Sequence, residues 1–208
     1  MSYKYRIQSY DNWLEPWLAR FNAPKGTALD VGCGPGLDTQ FLSTRGFEVQ
    51  ACDVSADALL QSGGLNPTVP HAIADARELL PYPDSIFSVV VAGLSLHYFD
   101  QGGSVRAFGA VHRVLKPGGL FLFRLNAWDD FEFGAPRVHD AWQVVAEANG
   151  AIKQFFTEAM IRELAAGRFS IVSMEKKRSE RYSRPKSFFE CCAIKPDHAP
   201  APGAGRRA

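Results

Sequence analysis

The stretch Asp30-Val31-Gly32-Cys33-Gly34-Pro35-Gly36 ends one element and opens another. Before it, Thr27 to Val31 reads as a buried strand. After it, Leu37 to Arg45 reads as a short helix, with Phe41 four residues beyond Leu37 and Gly46 as its stop. Glycines between a strand and a helix permit a tight turn and let a ligand come close to the backbone. Outward from this loop, strands and helices alternate. A second strand spans Phe47 to Cys52, a helix spans Ala56 to Gln61 and closes at Gly63-Gly64, and a third strand spans His71 to Ala74. Ile86 to Ala92 is near-continuously apolar, the pattern of a parallel strand covered on both faces. A helix from Ser104 to Leu115, stopped by Pro117-Gly118-Gly119, leads to a fifth strand, Leu120 to Leu125. Thr157 caps a helix through Ala166, closed by Gly167. Two β segments follow, Phe169 to Ser183 and Ser187 to Ile194, with a break around Pro185 too short for a parallel crossover. The expectation is an α/β fold: an open, doubly wound, mostly parallel sheet of seven strands with an antiparallel final strand. Such sheets bind ligands at the carboxyl ends of their strands.

The chain has 208 residues, 46% hydrophobic and 22% charged, which suits one domain with a real core. That domain is expected over 1–195, with a helical cover at 1–26 and a substrate-side insertion at 127–156. In the cover, Trp13, Leu14, Trp17, Leu18 and Phe21 follow helical spacing, with Pro16 near the first turn. A helix is expected in the insertion around Ala141 to Ala148. Residues 196–208, rich in Ala, Pro and Gly, read as a disordered tail. The net charge of +1 lacks the basic excess of a nucleic-acid binder. No apolar stretch is long enough to span a bilayer, and no apolar h-region follows Met1 to Arg6. Cys33, Cys52, Cys191 and Cys192 form neither a CxxC pair nor a zinc pattern, so no metal is expected. They read as small apolar residues, with Cys191 and Cys192 on opposite faces of a strand. A cytoplasmic location follows as an expectation. Monomer and homodimer both stay open.

The loop excludes two common nucleotide sites. A P-loop ends in Gly-Lys-Ser/Thr, which is absent, and a dinucleotide fingerprint starting at Gly32 requires glycine where Leu37 stands. Asp30 is poor company for a pyrophosphate and good company for an ammonium or sulfonium group. Asp53 closes the second strand, where an open sheet places a carboxylate for ribose hydroxyls. Asp75 closes the third, within reach of an adenine amine. Each acid alone also reads as a helix N-cap.

Leu29 to Gly36, with Asp53 and Asp75 at matching strand ends, resembles the class I S-adenosylmethionine-dependent methyltransferases. Val114-Leu115-Lys116-Pro117-Gly118-Gly119-Leu120 is similar to that family's lead-in to its fifth strand. The resemblance implies a Rossmann-like methyltransferase fold and S-adenosylmethionine as cofactor. It further implies that the backbone of Gly32, Cys33, Gly34 and Gly36 lines the methionine and ribose parts, and that Asp30 holds the amino group. On the same basis Asp53 takes the ribose hydroxyls and Val54 packs on adenine. Asp75 and the Ala76 amide read adenine's polar edge, and Leu94 lies near the methionine.

A direct displacement at a methyl carbon needs alignment first, and a base only where the acceptor arrives protonated. Ser95-Leu96-His97-Tyr98-Phe99 sits where the acceptor should approach. His97 is the base candidate because its ordinary pKa lies near neutrality, with a packed loop histidine as the alternative. Tyr98 reads as a donor to the acceptor or as packing. Arg124, Asn126 and Trp128, leaving the fifth strand, read as acceptor-binding residues, with Phe131 beside Trp128. Tyr3, Tyr5, Arg6, Tyr10 and Trp13 offer aromatics to a sulfonium, or simply cover the sheet. The run Lys176-Lys177-Arg178 with Arg181 and Arg184 reads as a solvated strand face.

The fourth strand lacks the Asn/Asp-Pro-Pro-Tyr ending of amino methylation. Lys153 to Glu158 with the final strands is loosely similar to tellurite- and thiopurine-type methyltransferases. The function expected is methyl transfer to a small molecule. An RNA or protein acceptor, or a non-catalytic S-adenosylmethionine-binding module, stands as the alternative.

Overall fold

The computed structural model describes residues 10–21, 26–137, 142–148 and 150–197. Seven strands form one sheet: β1 (Thr27–Val31), β2 (Glu48–Asp53), β3 (His71–Ile73), β4 (Phe87–Gly93), β5 (Leu115–Asn126), β8 (Ser170–Ser179) and β9 (Lys186–Ile194). Their order is β3-β2-β1-β4-β5-β9-β8. The first five run parallel, and β9 lies antiparallel between β5 and β8. The expected antiparallel final strand is therefore present, inserted inside the sheet.

The core is built by strand alternation. Val90, Phe121, Phe123, Leu125 and Cys191 point to the face covered by α4 (Gln101–Val114) and α5 (Glu158–Ala165). Val89, Val91, Leu122 and Cys192 point to the other, with Trp13, Leu14 and Trp17 of the N-terminal segment and Phe41 of α2 (Leu37–Thr44). Helices on both faces are what the apolar run in β4 required. Pro16 sits in the first turn of α1 (Glu15–Arg20), where its missing N–H costs nothing. Thr157 Oγ accepts from the Met160 amide and starts α5 as expected.

Three expectations change. Residues Val144–Ala146 are a strand, β6, paired antiparallel with β7 (Ile152–Gln154), rather than part of a helix. Adjacent β-branched Val144 and Val145 favour that state, and Gly150 takes the positive φ of the connecting turn. Ala141 lies outside the described residues. The helix α3 (Ala56–Leu65) continues through Gly63 and Gly64, because Asn66 stops it instead. The Asn66 amide donates to the Ser62 carbonyl and to the Gly36 carbonyl, tying the helix end to the glycine loop. The basic run on β8 is paired, not merely solvated. Lys176 meets Asp129 at 2.5 Å, Lys177 meets Glu190 at 2.5 Å and Arg181 meets Asp11 at 2.6 Å. Tyr3, Tyr5, Arg6 and residues 198–208 lie outside the described residues.

Candidate active site at the strand ends

At the end of β1, the Gly32 and Cys33 amides both donate to the Cys52 carbonyl, which folds the loop back over β2. Gly32 is irreplaceable there. Its φ is +69°, and a Cβ on it would lie 2.3 Å from the Ser95 Cβ. Ser95 in turn donates to the Val31 carbonyl at 2.6 Å, so the loops after β1 and β4 are held together. Gly36 is crowded likewise by Ser62. Cys33 is buried, and burial raises its thiol pKa, so it stays protonated.

Asp53 is fixed by two backbone donors, Gly34 N–H to Oδ2 at 3.0 Å and Ser55 N–H to Oδ1 at 2.9 Å. The N-cap of α3 is Ser55, whose hydroxyl accepts from Ala58, so the capping reading of Asp53 falls away. Asp75 caps no helix either. Its carboxylate takes the Arg77 guanidinium in a two-pronged contact at 2.6–3.0 Å, which lowers its pKa. Val54, Ile73, Ala74, Asp75 and Leu79 line a cleft of about 390 Å³. Val54 is 61% exposed, an apolar face presented to that cleft. Ala76 is buried beside it, and Leu94 takes a left-handed φ of 60° while its amide donates to the Arg124 carbonyl.

Asp30 is buried and accepts the Thr39 hydroxyl at 2.6 Å. Burial, then the charge of Asp38, pushes its pKa up to about 8. Sequence reasoning missed Asp38. It stands in the first turn of α2, accepts Tyr10 Oη and Trp13 Nε1 at 2.8 Å each, and lies against Gly93, where a Cβ would be 2.4 Å from its oxygen. An acid opening a helix after a glycine loop is a visible signal, but its partners come from a segment 25 or more residues away. The N-terminal aromatics thus bond a carboxylate beside the loop.

A pH effect follows from Asp30. An acid with a raised folded pKa keeps its proton in the native chain where the unfolded chain has lost it. Stability therefore falls as pH rises from about 4, the unfolded value, to about 8. Asp30→Asn is expected to flatten that fall in thermal melts from pH 5 to 9 and to raise the melting temperature most at pH 8. Parallel curves for the two proteins would contradict it.

At the carboxyl ends of β4 and β5 lies a second group of polar residues. His97 sits in the 3-10 turn Leu96–Tyr98 and is 3% exposed, with its ring 4.2 Å from that of Tyr98. Burial, with the charges of Lys186 and Lys153, holds its pKa well below the ordinary histidine value. The imidazole is neutral, and its cation is disfavoured, so the poise near neutrality expected of His97 is absent. Asn126 is fully buried. Its Oδ1 accepts from Lys186 Nζ at 2.8 Å, and the same ammonium reaches Asp130 at 2.8 Å. Trp128 is 40% exposed, under Lys176.

Arg124, expected among the acceptor-binding residues, is buried in ion pairs with Glu190 at 2.5 Å and Asp11 at 2.8 Å, between the rings of Trp13 and Phe188. Register explains this, because β9 places Glu190 directly opposite Arg124. The structure thus brings Asn126 and His97 to one polar group and sends Arg124 to another.

A glycine cradle, a carboxylate aligned by two backbone amides, an apolar cleft with an acid at its rim and the Asp30 and Asp38 carboxyls beside the loop meet at the strand ends of this α/β sheet. Residues 29–123 match the family described as Methyltransferase domain. The chain thus carries a methyltransferase domain and has the fold of S-adenosylmethionine-dependent methyltransferases. It is 30% identical over 142 residues to a malonyl-[acyl-carrier protein] O-methyltransferase from Pseudescherichia vulneris, covering 68% of this chain and 54% of that one. A mitochondrial arginine-hydroxylase from Homo sapiens is 38% identical over 46% of this chain and 27% of its own. An S-adenosylmethionine-dependent methyltransferase from Methanosarcina mazei has the same fold, with a TM-score of 0.73 at 21% identity, covering 88% of this chain and 98% of that one. The chain spans from 27% to 65% of the length of the curated relatives it matches.

Proposed function

We propose that this chain transfers a methyl group from S-adenosylmethionine to a small-molecule acceptor seated at the carboxyl ends of β4 and β5. The observation that carries the reading is Asp53, whose oxygens are aligned by the Gly34 and Ser55 amides beside the apolar cleft. A carboxylate held this way keeps lone pairs for two ribose hydroxyls. Val54 packs on adenine. Asp75 accepts the adenine amine alongside Arg77, since a carboxylate has about four acceptor positions. The Ala76 amide donates to the ring. Gly32, Cys33, Gly34, Gly36 and Leu94 give backbone surface to the methionine part, and the Asp30 and Asp38 carboxyls face its ammonium, whose positive charge favours their ionised form.

When bound, the cofactor supplies an electrophilic methyl on a sulfonium. The chain's own residues align the acceptor and exclude water. His97 and Tyr98 stand at the acceptor side. His97 orients through its ring and does not take a proton, because its cation is destabilised by burial among lysines. Paired cations on β8 and at Arg181 just after it leave that edge poorly suited to a phosphate backbone, which favours a small acceptor over RNA.

Calorimetric titration with S-adenosylhomocysteine tests the cofactor half, and transfer of a labelled methyl group to fractionated metabolites and macromolecules tests the acceptor half. Micromolar binding with label in the small-molecule fraction is expected. No binding overturns the reading, whereas label in RNA or protein retains the cofactor and replaces the acceptor.

A further inference from the structure

Three buried polar atoms close to the donor side have no hydrogen-bond partner among the described residues: His97 Nδ1, Asn126 Nδ2 and Gln154 Oε1. Gln154 is fully buried, and its own amide group donates to the Gln143 carbonyl, which fixes the orphaned oxygen. These atoms belong to one region. The strand β7 packs on the turn that carries His97, and Phe156 pairs with Ala127 next to Asn126. Native proteins rarely leave such atoms unmatched, and a group of them marks a place where something polar binds. It adjoins the cofactor side, because the Leu94 amide bonds the β5 carbonyl of Arg124 and Ser95 packs on Gly32.

The chemistry of the region is specific. Lys186 is buried and spends two of its three N–H groups on Asn126 Oδ1 and Asp130. An amide whose oxygen is bonded to an ammonium is polarised, so its free N–H is a stronger donor. Lys153, also buried, pairs with Glu147 at 2.7 Å. The exposed rings of Tyr98, Trp128 and Phe131 adjoin these residues along the chain and give the region an apolar rim.

We infer that the acceptor is a small carboxylic acid that enters ionised, its carboxylate on Asn126 Nδ2 and Lys186, and a hydroxyl or N–H of its chain on Gln154 Oε1. The inference rests on the methyltransferase reading above. A carboxylate oxygen takes the methyl carbon, and the carbon–sulfur bond breaks with its electron pair left on sulfur. No proton moves, which fits a site whose one histidine is neutral and surrounded by lysines. The product is a methyl ester.

The test starts from the intact chain, shown by calorimetry to bind S-adenosylhomocysteine. Labelled methyl groups are transferred to a metabolite extract, and the products are treated with mild alkali. Esters release the label as methanol, so release is the expected result. Label that survives alkali overturns the carboxylate inference and leaves the methyltransferase reading standing. Failure to bind S-adenosylhomocysteine overturns the reading itself. Asn126→Leu is expected to cut transfer about a hundredfold, the size of a lost hydrogen bond to a charged group, with S-adenosylhomocysteine affinity unchanged. Where that variant does not fold, Gln154→Leu serves with the same expectation, smaller because its partner is neutral. The free acid left after alkali, which is the acceptor itself, should bind the S-adenosylhomocysteine-loaded protein and not the Asn126→Leu variant. Equal binding to both overturns the placement.

Discussion

Asp53→Ala is expected to weaken S-adenosylhomocysteine binding by about a hundredfold or more. Each hydrogen bond from a ribose hydroxyl to a carboxylate is worth about 1.5–3 kcal/mol when its loss leaves a partner unmatched. Two such bonds exceed the ~2.7 kcal/mol that a hundredfold represents. A second effect adds to this. Asp53 also takes the Gly34 amide, so its loss frees the middle of the glycine loop. Asp53→Asn separates the two effects, since its amide oxygen still accepts from one backbone donor while the charge is gone. It should fall between wild type and alanine. Calorimetry on the three proteins checks the order, and an alanine variant that binds like wild type would remove the assignment of Asp53.

Arg124→Met is expected to cost about 3 kcal/mol of folding stability. Removing one partner of a buried pair leaves the other uncompensated, at about 3–5 kcal/mol. The lower end applies because Lys177 still reaches Glu190 and Arg181 still reaches Asp11. In a chain of this length the melting temperature should fall by roughly 6–12 °C. Adding Glu190→Gln should restore part of the loss, since a neutral amide is cheaper to bury than an unpaired carboxylate. An unchanged melting temperature in the single variant would show that the pair is not a folding element.

The parallel half of the sheet was readable because β4 is apolar on both faces and β1 and β2 stand next to glycine turns. β1, β2 and β4 fall where Thr27, Val49 and Val89 suggest. Asp53 and Asp75 were readable as strand-end acids, since position relative to a strand survives without knowing the fold. What was not readable depends on distant partners. Arg124 reads as an acceptor-binding residue until β9 brings Glu190 across from it, 66 residues on. Asp38 gained its meaning from Tyr10 and Trp13, and Lys186 and Gln154 gained theirs from Asn126 and the turn at His97. The β6–β7 pair was missed because its strands are three residues each, too short for a period to show. Gly63 and Gly64 misled because glycine marks helix ends only on average, and at this position Asn66 had the stronger local bonds.

The insertion of β9 between β5 and β8 has a consequence for assembly during synthesis. β8 is made before β9, yet among the described residues its only sheet neighbour is β9, so it cannot take its place in the sheet when it leaves the ribosome. Until residues 186–194 emerge, β5 presents a bare edge and Arg124 lacks its main counter-ion. β9, made after β8, is therefore the wedge that closes the sheet, and closure is a non-local and cooperative event. A nascent chain arrested before Lys186 should be protease-sensitive through β8, and one released after Ile194 should not.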